Sequence, residues 1–147
     1  MVGSVMSNAE VTREVIRLVT AYRFDEIAQY IHDDIVMEAP YQAFHQGPMR
    51  RGKLGFMAGF AFVPQIFKRF SLNIHELYDC PAQNTVVFEQ TSMGIFNANG
   101  KAYQNRYIMV FQFRDGKIVL WREFFNPEIM IASMAFMLDS PAESGGS

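Results

Sequence analysis

Glu123 sits in an alternating run, Val119, Trp121, Glu123 and Phe125, and strand periodicity places these four side chains on one face, opposite Leu120, Arg122, Phe124 and Asn126. A carboxyl group among aromatic and apolar neighbours loses hydration, which raises its pKa toward neutrality and suits it to acid or base work. The same pattern also allows a surface glutamate paired with an arginine across the strand. One strand earlier, Tyr103, Asn105, Tyr107, Met109 and Phe111 alternate with Gln104, Arg106, Ile108, Val110 and Gln112. The first set mixes aromatic and hydrogen-bonding groups, as a pocket wall would. The strand before that carries Phe88, Gln90, Ser92 and Gly94 on one face, with Gln90 and Ser92 able to orient a substrate or a water, or to serve as satisfied core polar groups. Tyr41 and His45 lie on a loop at an expected pocket mouth.

Other chemistries find little support. The histidines, His32, His45 and His75, fall on different elements without ligand spacing, so no metal is expected. There is no nucleophile elbow and no glycine-rich phosphate loop. Cys80, the single cysteine, precedes a turn proline with nothing nearby to activate its thiol, and it leaves no internal disulfide to form. Arg50, Arg51 and Lys53 make the densest basic spot in a chain of formal charge −2. They read as a solvated helix entrance, so nucleic acid is not an expected partner.

The elements that must position these groups follow from periodicity. Ala9 to Tyr22 reads as an amphipathic helix capped by Ser7 or Asn8, with a short second helix from Phe24 to Tyr30. Ile35 to Ala39 reads as a strand ended by Pro40, followed by a loop over 41–50. A third helix is predicted from Gly52 to Phe70, apolar nearly all round and therefore enclosed on most sides, with Pro64 bending it. Its Met57 and Phe60 complete the expected pocket lining. From residue 71 the period becomes two. Strands are predicted at Ser71–Tyr78, Thr85–Phe96, Lys101–Arg114 and Lys117–Phe125, with turns at Asn99-Gly100 and Asp115-Gly116. A short apolar helix, Ile129 to Leu138, precedes a Ser/Gly-rich tail.

This order curls an antiparallel sheet around helices, an α+β cone with a blind apolar cavity. The whole chain, 1–147, is expected to be one domain with flexible ends at 1–8 and 140–147. Half of its residues are hydrophobic, with 14 Phe and 10 Met. That surplus calls for a lined cavity and a buried face between copies. A homodimer through the convex face (Met93, Ile95, Ile108, Val110, Leu120 and Phe124) is the expectation. The longest apolar stretch, Gly55 to Val63, is too short to span a bilayer, and no signal-peptide core precedes the first helix. A cytoplasmic location is expected.

The run Val110-Phe111-Gln112-Phe113-Arg114-Asp115-Gly116-Lys117-Ile118-Val119-Leu120-Trp121-Arg122-Glu123-Phe124-Phe125-Asn126-Pro127 resembles the closing hairpin of nuclear-transport-factor-2-like proteins. It is most similar to the SnoaL-like, ketosteroid isomerase-like and phenazine-biosynthesis A/B-type branches, and also resembles limonene-1,2-epoxide hydrolase. A weaker likeness extends over Ile31-His32-Asp33-Asp34 and Tyr103-Gln104-Asn105-Arg106-Tyr107. The resemblance implies a cone-shaped, cystatin-like fold and an acidic catalytic group at Glu123. The epoxide hydrolase pattern asks for Arg and Asp where this chain has Gln90 and Ser92, and for Tyr and Asn where it has Met37 and Ala39. That mechanism is therefore disfavoured.

Together these readings predict a cofactor-free enzyme for a small apolar carbonyl-type molecule. Glu123 would transfer a proton in an isomerisation, cyclisation or dehydration. Tyr41, Gln90, Ser92, Tyr103, Asn105, Tyr107, Trp121, Phe125, Met57 and Phe60 would form the binding wall, and Tyr41, Tyr103 or Tyr107 would donate to a developing enolate. A non-catalytic ligand-binding or dimerisation module of the same fold is the rival expectation.

Overall fold

Ser7 starts the first helix, α1 (Asn8–Thr20), through a reciprocal capping box. Its hydroxyl accepts the Glu10 N–H at 3.1 Å, and the Glu10 carboxylate accepts the Ser7 N–H at 2.9 Å. Val11, Val15, Ile16, Leu18 and Val19 then form the buried stripe that helical spacing predicts. A computed structural model describes residues 5–42, 50–133 and 135. His45, most of the 41–50 loop, and the outermost parts of both ends lie outside the described residues.

After a 3-10 helix at Phe24–Tyr30 the chain enters β1 (Ile31–Glu38), then β2 (Arg50–Arg51), α2 (Lys53–Ala58) and α3 (Phe62–Ile66). Four long strands follow: β3 (Phe67–Cys80), β4 (Thr85–Phe96), β5 (Ala102–Arg114) and β6 (Lys117–Phe125). The last described helix is α4 (Pro127–Ser133). The strands form one curved sheet in the order β2-β1-β6-β5-β4-β3. All neighbours are antiparallel except β1 and β6, which run parallel. With β2 and β3 as its two edges, the sheet stays open and does not close into a barrel. Among the described residues no helix is long and apolar enough to cross a membrane.

The tight turns follow their residue types. Asp115 and Gly116 both take positive φ, 54° and 74°, as a two-residue hairpin turn demands. The ladder just beyond is not regular. Phe113 faces Ile118, but Gln112 faces Leu120, so one extra residue, Val119, bulges from β6. Ile118 is consequently buried on the core side with Phe113, whereas Val119 is only partly buried. Simple alternation had placed Val119 there instead. Beyond the bulge the faces fall as expected: Trp121 and Phe125 are buried, while Arg122 and Phe124 are partly so.

The region expected to be one enclosed helix, Gly52–Phe70, breaks into short helical pieces that end at Ile66, and β3 begins at Phe67. Backbone pairing of Phe67 with Phe96 accounts for the early start, with the two rings stacked at 5.0 Å. Nor is this region enclosed. Phe56 is buried, but Leu54 is 88% and Phe62 50% exposed, because the helices cross the open side of the curved sheet and only one flank turns inward. On the convex face Met93 and Ile108 are exposed as expected, whereas Leu120 is buried at 8%, paired between Val36 and Gln112.

Candidate active site

The concave sheet face and the α2–α3 segment enclose a pocket of about 410 Å³. Its lining is chiefly apolar: Val19 from α1, Met37 from β1, Phe56, Phe60, Phe62 and Val63 from the helical segment, Phe70 and Leu72 from β3, and Trp121 from β6. Four polar side chains interrupt this wall, those of Arg50, Gln90, Tyr107 and Glu123.

Glu123 reaches the pocket because the β5–β6 register sets it opposite Met109, within the core side of the sheet. The Trp121 indole N–H donates to its Oε1 at 2.8 Å. The other oxygen, Oε2, has no hydrogen-bond partner among the described residues, and the accessible part of the side chain faces the pocket. Burial raises the pKa of this carboxyl above its ordinary value, and the Trp121 hydrogen bond offsets only part of that rise. Among the described residues no cation neutralises it. Arg122, the arginine beside it in sequence, points to the other face and donates to Glu38 on β1 at 2.7 Å. A surface glutamate in an ion pair is thus not what the structure contains.

Tyr107 faces Gln90 across the β4–β5 ladder, and both line the pocket. The Tyr107 hydroxyl pairs with Ser92 Oγ at 3.0 Å. Burial drives its pKa upward, with Tyr103 and Glu123 adding to the rise, so it stays a neutral phenol. Gln90 is 3% exposed, and its Oε1 is buried with no hydrogen-bond partner among the described residues. Such an orphan acceptor costs about 1–3 kcal/mol.

Of the residues singled out by sequence, the structure brings Glu123, Trp121, Gln90, Tyr107 and Phe60 together around this cavity. The others lie elsewhere. Ser92 stands behind Tyr107 as its hydrogen-bond partner. Asn105 donates to the Tyr103 hydroxyl at 3.0 Å and to the Asn126 carbonyl at 3.1 Å, which ties β5 to the end of β6. Tyr103 packs against Phe67 and Phe96, and Phe125 against Tyr107 at 5.8 Å. Met57 packs on the core outside the lining. Tyr41 is 61% exposed and sits edge-on to Phe124 at 5.3 Å. Because Phe124 occupies the face opposite Glu123, Tyr41 belongs to a convex-side groove with His75, Glu89 and Arg106.

Arg50 is the functional-site residue that sequence reasoning missed, having assigned it to a solvated helix entrance. Pairing of Arg50 with Met37, itself a lining residue, turns the arginine inward. Its only usable signal was that cross-strand partnership, which a strand of two residues does not announce.

Residues 12–121 match the SnoaL-like domain, and the chain belongs to that family. It is 25% identical over 144 residues to the uncharacterized protein YesE of Bacillus subtilis (strain 168), covering 95% of this chain and 98% of that one. Among solved structures, a provisionally assigned isomerase from Bacillus subtilis superposes with a TM-score of 0.72 at 24% identity, over 88% of this chain and 96% of that one. A provisionally assigned polyketide cyclase from Xanthomonas campestris pv. campestris gives 0.73 at 19% identity, over 85% and 94%. An LEH-like epoxide hydrolase from M. tuberculosis gives 0.68 at 20% identity, over 90% and 96%. At these identities the likenesses establish the nuclear-transport-factor-2-like fold, with several named activities among its holders.

Proposed function

We propose that this protein is a small-molecule enzyme in which Glu123 carries a proton between two positions of an apolar carbonyl substrate. The observation that supports this most is a carboxyl group held in an apolar pocket by one indole N–H, with no neutralising cation among the described residues. In its ionised form Glu123 takes a proton from carbon next to the carbonyl, and the electron pair moves onto the carbonyl oxygen. Tyr107 donates to that oxygen while Ser92 supports the phenol from behind. The proton on Glu123 then returns to a different carbon, an isomerisation, or to a departing hydroxyl, a dehydration. A raised pKa serves both halves, since it strengthens the base and leaves an acid able to give the proton back.

Glu123→Gln keeps the shape and removes the titrating proton. Turnover of enolisable ketones by the variant should fall by about 10²–10⁴ with the circular dichroism spectrum unchanged. Retained turnover would reject the assignment. The non-catalytic reading, a ligand-binding module, draws on the small number of polar groups in the wall; a bound ketone recovered unchanged after long incubation would favour it. A second copy docked on the convex face, where Met93 and Ile108 are 45% and 43% exposed, is part of the same proposal.

A further inference from the structure

We infer that Arg50 is an anion receptor inside the pocket, so that the ligand is an apolar molecule bearing a carboxylate. The inference rests on the proposed function only for the position of the reacting carbon, near Glu123; the binding claim stands separately. Arg50 lines a cavity whose walls are chiefly apolar, with Gln90, Tyr107 and Glu123 as the other polar side chains. Among the described residues it has no carboxylate within ion-pair distance, and of the arginines in that condition (Arg13, Arg50, Arg51, Arg69 and Arg106) it is the one that lines this pocket. Glu38, next in the chain to Arg50's strand partner Met37, is taken by Arg122. Glu123 shares the pocket with Arg50, but its carboxyl is held by Trp121 and not by the guanidinium.

The guanidinium is also placed by its surroundings. Its Nη1 donates to the Gly55 carbonyl at 3.3 Å, which fixes the side chain against α2. Gly59 lies directly beneath it, and a Cβ there would stand 3.0 Å from Nε and 3.1 Å from Cζ. Absence of a side chain at residue 59 therefore makes the space in which the fork lies flat. Four of the five guanidinium N–H donors have no partner among the described residues. A planar fork of this kind matches a carboxylate with two parallel hydrogen bonds, in an apolar setting where charge-assisted bonds are strongest.

A second group in the same cavity also lacks a partner. Gln90, only 3% exposed, holds an amide oxygen with no donor among the described residues. Rotation about the terminal torsion, which is broad and two-fold, presents that oxygen to a ligand hydroxyl. The pocket thus asks for an anion on the helical side and a hydrogen-bond donor on the sheet side, joined by an apolar body. A hydroxylated keto carboxylic acid of roughly phenylalkanoate size has these features.

Trp121 is the only tryptophan and lines the pocket, so its fluorescence reports occupancy directly. The probes are 4-phenylbutanoate and its neutral counterpart 4-phenylbutanamide, titrated into the full chain. Wild type should bind the carboxylate about tenfold more tightly than the amide. Arg50→Met should erase that preference while leaving the amide affinity unchanged, and Arg50→Lys should keep part of it. Glu123→Gln should retain the preference even where turnover is lost. Equal affinity of wild type for both probes, no quenching by the carboxylate at millimolar concentration, or an undiminished preference in Arg50→Met would overturn the proposal. A Glu123→Gln variant that still turns over ketones while the Arg50 preference persists would remove the catalytic reading and leave the anion site standing.

Discussion

Glu123 and Arg122 are adjacent in the chain and opposite in fate. Arg122 meets Glu38 on the outer face, while Glu123 is held in the pocket by one indole N–H. The energetic consequence of that difference is a dependence of stability on pH. A carboxyl whose folded pKa lies above its unfolded value binds more protons in the folded state between those two values, so stability falls as pH rises across that window. Below the unfolded pKa, about 4.3, both states are protonated and no difference arises. Above the folded pKa the full penalty is present. Melting temperatures of wild type and Glu123→Gln, measured from pH 4 to 9, should therefore diverge upward, the variant becoming relatively more stable as pH rises. Parallel curves would mean that the carboxyl is solvated. At this scale the sequence made Glu123 readable, because an acid inside an aromatic alternation has few explanations. Arg50 was not readable, because its role depends on Met37 and Gly59, which lie 13 and 9 positions away in the chain.

Among the elements, the four long strands were legible from period-two alternation and from the Asn-Gly and Asp-Gly pairs that join them. The helical segment was misread for a physical reason. A run such as Phe56 to Phe70 is apolar all round, and burial, fraying into short helices and early strand entry all accept that composition. What decides among them is β4. Gly94 lies opposite Phe70 on β3 and Tyr103 on β5, and the place of its missing side chain is filled by the rings of Phe67 and Phe70. A Cβ at Gly94 would stand 2.7 Å from Phe67 Cδ1 and 3.3 Å from Phe70 Cδ2. Gly94→Ala should then cost about 1–3 kcal/mol in urea unfolding, and it should loosen the start of β3 before the rest of the sheet. An unchanged midpoint would show that the two rings relax without cost. The same rings explain why β3 begins at Phe67 and not at residue 71.

For the molecule as a whole, the curved sheet separates two surfaces with different duties. The concave side closes over the pocket with α1 and the α2–α3 segment. The convex side leaves Met93 and Ile108 open to solvent and carries ordered polar pairs, His75 with Thr91 at 2.8 Å and Tyr78 with Glu89 at 2.7 Å. If that surface receives a second copy, sedimentation at micromolar concentration should give a dimer, and Ile108→Glu should give a monomer with an unchanged circular dichroism spectrum. A wild-type monomer would reject the arrangement. The outline of this division was legible in the strand patterns, but Leu120 was assigned to the open surface and is in fact covered, since alternation gives the face of a residue and not what lies against it.

The extra residue in β6 has an effect out of proportion to its chemistry. Counting from the Asp115-Gly116 turn, an even ladder would bring residue 122 opposite Met109, where residue 123 now stands. A hairpin that took Val119 into the ladder in place of the bulge would keep every residue and the same turn, yet it would deliver a guanidinium to the cavity and send the carboxylate to the other face. Whether the interior is acidic or basic is therefore a matter of parity, set by an aliphatic side chain that takes no part in the chemistry. Insertions and deletions in this short stretch would be a route by which one fold exchanges one class of ligand for its electrostatic opposite.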